Sequence, residues 1–281
     1  MNPAARLRID PSTVCVLPER TDDPAAARRL VERDGAVVWI GGGSSARGVA
    51  GVLSEVFGDQ LVHIGDAVEV RAAGGQDRPD LDAEGHLLRT PLHSDGFALA
   101  QDAPDLVALG CAHDVPGGDS FCLDVDRWHA ALAGGDDMDQ ELAAFLIEVP
   151  LDRTEPGKLA SIGPIGSSTP DGRRIWVRSI RNEPLPDDPS PDRTRSMVRR
   201  CDERLAELEA RLPRFHLFAG EILIGDNARI FHGRDPYEDT DRQLWRIWGW
   251  TTAAPRPDGG YVISDTSAIG ATSIDDQIGT P

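Results

Sequence analysis

The stretch Glu221-Ile-Leu-Ile-Gly-Asp-Asn-Ala-Arg-Ile-Phe-His-Gly-Arg234 constrains the fold of this 281-residue chain more than any other. It holds two short apolar runs on either side of Gly-Asp-Asn, too short for helices and bounded by turn residues. It therefore reads as strand, tight turn, strand, in the manner of a hairpin. Similar short runs recur at Ala36–Ile40, closed by three glycines, at Leu106–Leu109, at Ser120–Leu123 after Pro116-Gly-Gly-Asp119, and at Leu244–Thr251. Arg173–Ile180 alternates enough to read as another strand, one is expected between Gly58 and Val70, and a short edge strand at Val14–Leu17.

Helical spacing lies between these blocks. Pro24–Glu32 follows the cap Asp23, and Ser45–Phe57 places Val49, Val52, Leu53 and Val56 on one face. Arg127–Leu132, Asp139–Ile147 and Arg193–Leu212, the last after the Pro/Asp-rich 184–191, complete the set. Short strands with helices outside them predict a mainly β fold with flanking helices (α+β), built on a double-stranded β-helix or jelly-roll core. No linker divides the chain, so a single domain over 1–281 is expected, with its core at about 35–250. Residues 71–86 are polar and rich in Gly, Asp and Pro, which suits either a lid or an exposed connection. Residues 255–281 read as a loose tail or lid.

Composition narrows the function. A net charge of −18 argues against nucleic acid or an anionic membrane surface as partner. No apolar run is long enough to span a bilayer and no signal-peptide core is present, so a cytoplasmic protein is expected. A homo-oligomer is compatible with this composition. Cys15, Cys111, Cys122 and Cys201 are scattered and without CxxC pairs, as expected of reduced thiols. Lys158 is the sole lysine among 29 basic residues, so a single arginine carries little information by itself.

Chemistry concentrates between Arg89 and Asp124. His93-Ser94-Asp95 places an imidazole and a carboxylate two residues apart, on one side of the chain if the backbone there is extended. Seven histidines and 47 acids in 281 residues make roughly one His-x-Asp/Glu by chance, so the pair needs a third ligand. His232 is the best candidate, because it ends the strand-turn-strand block between Arg229 and Arg234. His63, His86, His113, His129 and His216 lack such a setting. Two imidazoles and a carboxylate on one face are the facial triad of non-haem Fe(II) sites.

Four motifs then fall in one order: Leu92-His-Ser-Asp-Gly-Phe97, Pro116-Gly-Gly-Asp-Ser120, Gly225-Asp-Asn-x-Arg229-x-x-His232-Gly-Arg234, and Arg242-x-Leu244-x-Arg246-x-Trp248. Together they resemble the Fe(II)/2-oxoglutarate-dependent dioxygenases of the taurine dioxygenase superfamily, including clavaminate synthase-like and carbapenem synthase-like members. The resemblance spans roughly residues 35 to 250. It implies His93, Asp95 and His232 as iron ligands, 2-oxoglutarate chelating the iron, and O2 as oxidant. It further implies Arg242 and Ser120 as the clamp on the distal carboxylate of 2-oxoglutarate, with Ser120 where threonine is more usual. An arginine fork suits that task because it pairs a carboxylate through two donors and stays charged.

For Arg246 the resemblance leaves two roles, holding an acidic substrate or forming a structural ion pair. Arg234 is a second substrate candidate, and Phe97 lines the pocket or packs in the core. Asn227 and Arg229 read as supports of the turn. The implied reaction hydroxylates, desaturates or cyclises a small molecule, amino acid-like or a natural-product intermediate, with release of succinate and CO2. Related halogenases carry a small residue in place of Asp95, so its presence disfavours halogenation. Two other classes remain open on the residues alone, a cupin-type metal enzyme that does not use 2-oxoglutarate and a non-catalytic jelly-roll binding protein.

Overall fold

The computed structural model describes residues 9–71, 89–97, 99, 103–154, 160–169, 172–179, 181–237, 239 and 241–253. The expected lid at 71–86, apart from Arg71, and the tail at 255–281 lie outside these residues.

Two sheets face each other. One has four strands in the order β1 (Cys15–Val16), β8 (Ser120–Asp124), β15 (Ile230–Arg234), β6 (Thr90–His93). The other runs β2 (Glu19–Thr21), β3 (Ala36–Trp39), β14 (Ile222–Asp226), β7 (Leu106–His113), β16 (Gln243–Thr251), β4 (Leu61–Ile64), and β5 (Val68–Arg71) also pairs with β16. Pairing is antiparallel except between β2 and β3. Smaller strands lie apart: β9 (Leu151–Asp152), β10 (Ile162–Gly163) and β13 (Glu183–Pro184) form one sheet, and β11 (Gly166–Ser168) pairs with β12 (Arg174–Trp176).

The apolar runs are continuous because both faces of the strands are covered. In β14, Ile222 and Ile224 join one core cluster with Val49, Leu53 and Val56 of α3 (Ala46–Phe57) and Leu30 and Val31 of α2 (Pro24–Asp34). Leu223, between them, faces the other way and packs with Val38, Cys122, Ile230 and Leu244, where the two sheets meet. In β8, Phe121 and Leu123 turn outward to α4 (Val125–Ala133), α5 (Asp137–Glu148) and α6 (Pro191–Glu209). The result is helices, sheet, sheet, helices, as expected of a jelly roll with flanking helices. A short α1 (Pro11–Val14) precedes β1.

Local signals hold these pieces in place. Asp23 caps α2 through Ala26 N at 2.6 Å, and Gly35, at φ +85°, ends it in the left-handed region. Ser45 caps α3 through Gly48 N at 3.1 Å. The four cysteines are unpaired thiols.

Four expectations need correction. β14 and β15 do not pair as a hairpin: the turn closed by Arg229 N donating to Asp226 O carries the chain from the seven-stranded sheet to the four-stranded one. Ile222 and Phe231 must reach helix layers on opposite sides of the molecule, which a flat hairpin cannot provide. The strand expected at Arg173–Ile180 is confined to Arg174–Trp176. The region expected to hold one strand at 58–70 holds a 3-10 turn, β4 and the start of β5, and Val14 belongs to α1 rather than to an edge strand.

Deleting a side chain from the inter-sheet core tests this layering. Leu223→Ala is expected to cost about 2–5 kcal/mol in denaturant unfolding. Leu17→Ala, at a side chain that is 58% exposed, should stay within about 0.5 kcal/mol.

Candidate metal centre

β6 and β15 lie side by side with His93 opposite His232. Leu92 and Phe231 point outward into the helix-side cluster, so alternation turns both histidines into the space between the sheets. Their rings are 4.5 Å apart, centroid to centroid. His93 Nδ1 donates to Pro91 O at 2.9 Å, which leaves Nε2 with a lone pair facing inward, 3.6 Å from Asp95 Oδ1.

Asp95 does not continue the extended backbone of β6. β6 ends at His93, and Asp95 stands in a turn with Gly96 at φ +68°. A Cβ on Gly96 would lie 2.3 Å from Pro104 Cδ, so the turn admits only glycine there. The carboxylate is aimed by Asn227 instead. Asn227 Oδ1 accepts from Asp95 N at 2.8 Å, and its Nδ2 donates to Asp95 O at 2.9 Å and to Pro104 O at 2.7 Å. A residue read as a turn support thus holds a candidate ligand by both of its backbone groups. The signal in the sequence was only an Asn in the β14–β15 turn.

Two side chains on β16 reach the Asp95 carboxylate. Arg246 Nη1 lies 3.4 Å from Oδ1, and Trp248 Nε1 donates to Oδ2 at 3.1 Å. Burial raises the carboxyl pKa, but the Arg246 guanidinium outweighs it, holding the acid well below its usual range. Burial, with His93 adding to it, pushes His232 down to about 3, so this imidazole stays neutral. Its Nδ1 is buried without a hydrogen-bond partner. Ligand atoms of His93, Asp95 and His232 all lie within 4.8 Å of one another, and among the described residues no other group of this kind is found. Two imidazoles on one face, the neutral His232 with an orphaned ring nitrogen, and an ionised carboxylate fit a divalent first-row metal.

The second half of the predicted site lies at the other end of β16. Arg242 is buried just before that strand, with Nη2 3.3 Å from Gly118 O and its guanidinium 5.0 Å from the Tyr237 ring centre. Arg234 stacks on the same ring at 4.5 Å, and burial pushes it down to about 10. Ser120, also buried, opposes Arg234 across β8 and β15. No carboxylate pairs with Arg242 among the described residues. Phe97 is half-buried, lies outside the core clusters, and its carbonyl accepts from Ser161 Oγ at 2.6 Å. Arg229 pairs with Asp124 at 2.6 Å and is structural. His129 and His216 bond elsewhere, to Ala143 O and Asp119, and His86 lies outside the described residues.

Asn227→Ala should weaken Fe(II) binding about 10–100-fold in anaerobic titration while the fold persists, since it frees the turn but removes no ligand. His232→Ala should abolish stoichiometric binding altogether.

No protein-family model and no curated protein matches the chain. Solved structures do. Asparagine oxygenase in complex with Fe(II), 2S,3S-3-hydroxyasparagine and succinate aligns over 85% of this chain and 82% of its own, at 19% identity and TM-score 0.59. A taurine dioxygenase from Burkholderia xenovorans aligns over 89% and 94%, at 20% identity and TM-score 0.59. The non-heme iron oxygenase OrfP, in complex with Fe, succinate and (3S)-hydroxy-L-Arg, aligns over 80% and 78%, at 16% identity and TM-score 0.55. The chain has the jelly-roll fold of the taurine dioxygenase-like iron oxygenases.

Proposed function

We propose that this protein is an Fe(II)- and 2-oxoglutarate-dependent oxygenase that hydroxylates a C–H bond of a small molecule, working as one catalytic domain. The observation that carries the reading is the convergence of His93, Asp95 and His232 between the sheets, in a fold shared with iron oxygenases. His93, Asp95 and His232 would hold the metal on one face and leave the opposite positions to co-substrate and oxygen. Bound there, iron with 2-oxoglutarate and O2 supplies the oxidising power for C–H hydroxylation, with release of succinate and CO2.

The chain's own residues account for the rest. Asp95 stays ionised against Arg246 and Trp248, so its negative charge is available to a dication without a proton to displace. This contact favours the ion-pair role for Arg246 over a direct grip on substrate. Arg242, buried and without an acidic partner among the described residues, is poised to take the distal carboxylate of 2-oxoglutarate, with the Ser120 hydroxyl as second donor. Burial of the cluster keeps bulk water away from the reacting centre. Two neighbours hold hydroxylated amino acids, 3-hydroxyasparagine and (3S)-hydroxy-L-Arg, which supports an amino acid-like substrate here.

Anaerobic addition of Fe(II) and then 2-oxoglutarate tests this reading. A metal-to-ligand charge-transfer band is expected, together with 2-oxoglutarate-dependent succinate formation in air. Iron binding without either signal would defeat it in favour of a cupin-type enzyme. Arg242→Ala should raise the Kd for 2-oxoglutarate roughly 10- to 100-fold, the range of one lost charge-assisted contact, with Fe(II) binding unchanged.

A further inference from the structure

A second feature lies beside the metal centre. A cavity of about 280 Å³, room for about nine waters at liquid density, opens between β10, the β11–β12 pair and the Asn227–Ala228 turn. Arg153 lines it and is only 5% exposed. Its Nη1 donates to Pro164 O at 3.0 Å and Val177 O at 2.9 Å, while its Nε is buried with no acceptor. No carboxylate pairs with Arg153 among the described residues. Burial pushes this guanidinium down to about 10. Gly163 sits beside Nη2, where a Cβ would come within 3.1 Å, so the glycine leaves that nitrogen clear.

The other charged group on the wall does not neutralise Arg153. Asp105 is engaged by Thr251 through its backbone N at 2.9 Å and its hydroxyl, and pairs with Arg173 at 3.6 Å. A guanidinium taken out of water without a counter-charge is costly unless an anion joins it. The remaining Nε–Nη2 edge is a planar two-donor fork, the shape that fits a carboxylate. Around it, Ile175, Val177 and Pro164 offer an apolar wall to a hydrocarbon body, and Ser167 adds a hydroxyl. The cavity also touches Asn227, the side chain that clamps Asp95, so it begins one side chain from the candidate metal ligand.

We propose that this cavity binds the carboxylate of a small organic acid through Arg153, and that this acid is the molecule oxidised. The second clause rests on the oxygenase reading; the first stands without it. Substrate choice is then set by a cation on the 150–165 segment, outside the four motifs that mark the metal and co-substrate sites.

The test uses benzoate, hydrocinnamate and N-acetyl-L-leucine, each against its primary amide. Binding to the metal-free full-length protein is read by ligand-observed NMR. At least one acid should bind about tenfold or more tightly than its amide, the worth of a charge-assisted hydrogen bond. Arg153→Gln should erase that preference. Arg153→Lys keeps the charge but loses the fork, and should retain the preference at weaker affinity. Thermal melts and the Fe(II)/2-oxoglutarate band of both variants check that the fold persists. Equal binding of acids and amides, or a preference that survives in Arg153→Gln, overturns the carboxylate site. In the loaded wild type, the bound acid should perturb the charge-transfer band; a band that ignores it overturns the substrate assignment. Absence of any band defeats the oxygenase reading, and the NMR arm still decides the role of Arg153.

Discussion

The antiparallel pairing of β6 with β15, which sets His93 opposite His232, is the constraint on which the candidate site depends. β15 buries Phe231 against the helices and Ile230 against the opposite sheet, so its register is fixed by two cores at once, while β6 buries Leu92 on the helix side. A slip of one residue would send both imidazoles into the helix layer and bring Leu92 and Phe231 between the sheets. The same apolar alternation that folds the sheet therefore assembles two of the three candidate ligands. The third arrives by a different route, through the Asn227 amide that ties the Asp95 turn to the β14–β15 corner.

Charge is arranged around that centre with little redundancy. Asp95 is nearly out of water, and Arg246 and Trp248 keep it an anion. His232, equally buried, is kept neutral by the same desolvation. An anion and a neutral imidazole are the protonation states a divalent metal needs, and both are present before any metal arrives.

The arginine-rich composition makes partners more informative than presence. Arg20 with Glu221, Arg214 with Asp235 and Arg229 with Asp124 are ion pairs that brace loops and strand ends. Arg242 and Arg153 are buried and lack an acid among the described residues. One lies just before β16, where a co-substrate carboxylate is expected, and the other lines the cavity next to Asn227. Burial without a counter-charge separates these two from the rest.

Much of this was legible in the chain itself. Short apolar runs between turn residues, helical spacing at 24–32 and 45–57, and the four ordered motifs point to a jelly roll with His93, Asp95 and His232 as expected ligands. Those signals are local, because periodicity, caps and motif spacing need only neighbours in sequence. Other features needed the tertiary structure. Ile222–Asp226 and Ile230–Arg234 look like a hairpin until both helix layers are in place and force them into different sheets. Asp95 leaves the strand because Gly96 and Asn227, 131 residues apart, meet at Pro104. Arg153 is one arginine among many until folding buries it with no acid paired to it among the described residues. The sequence by itself determined which side chains were available and which strands could carry them. Long-range packing decided which way they point and which charges stand alone, because burial and counter-charge are properties of neighbours that only the folded chain brings together.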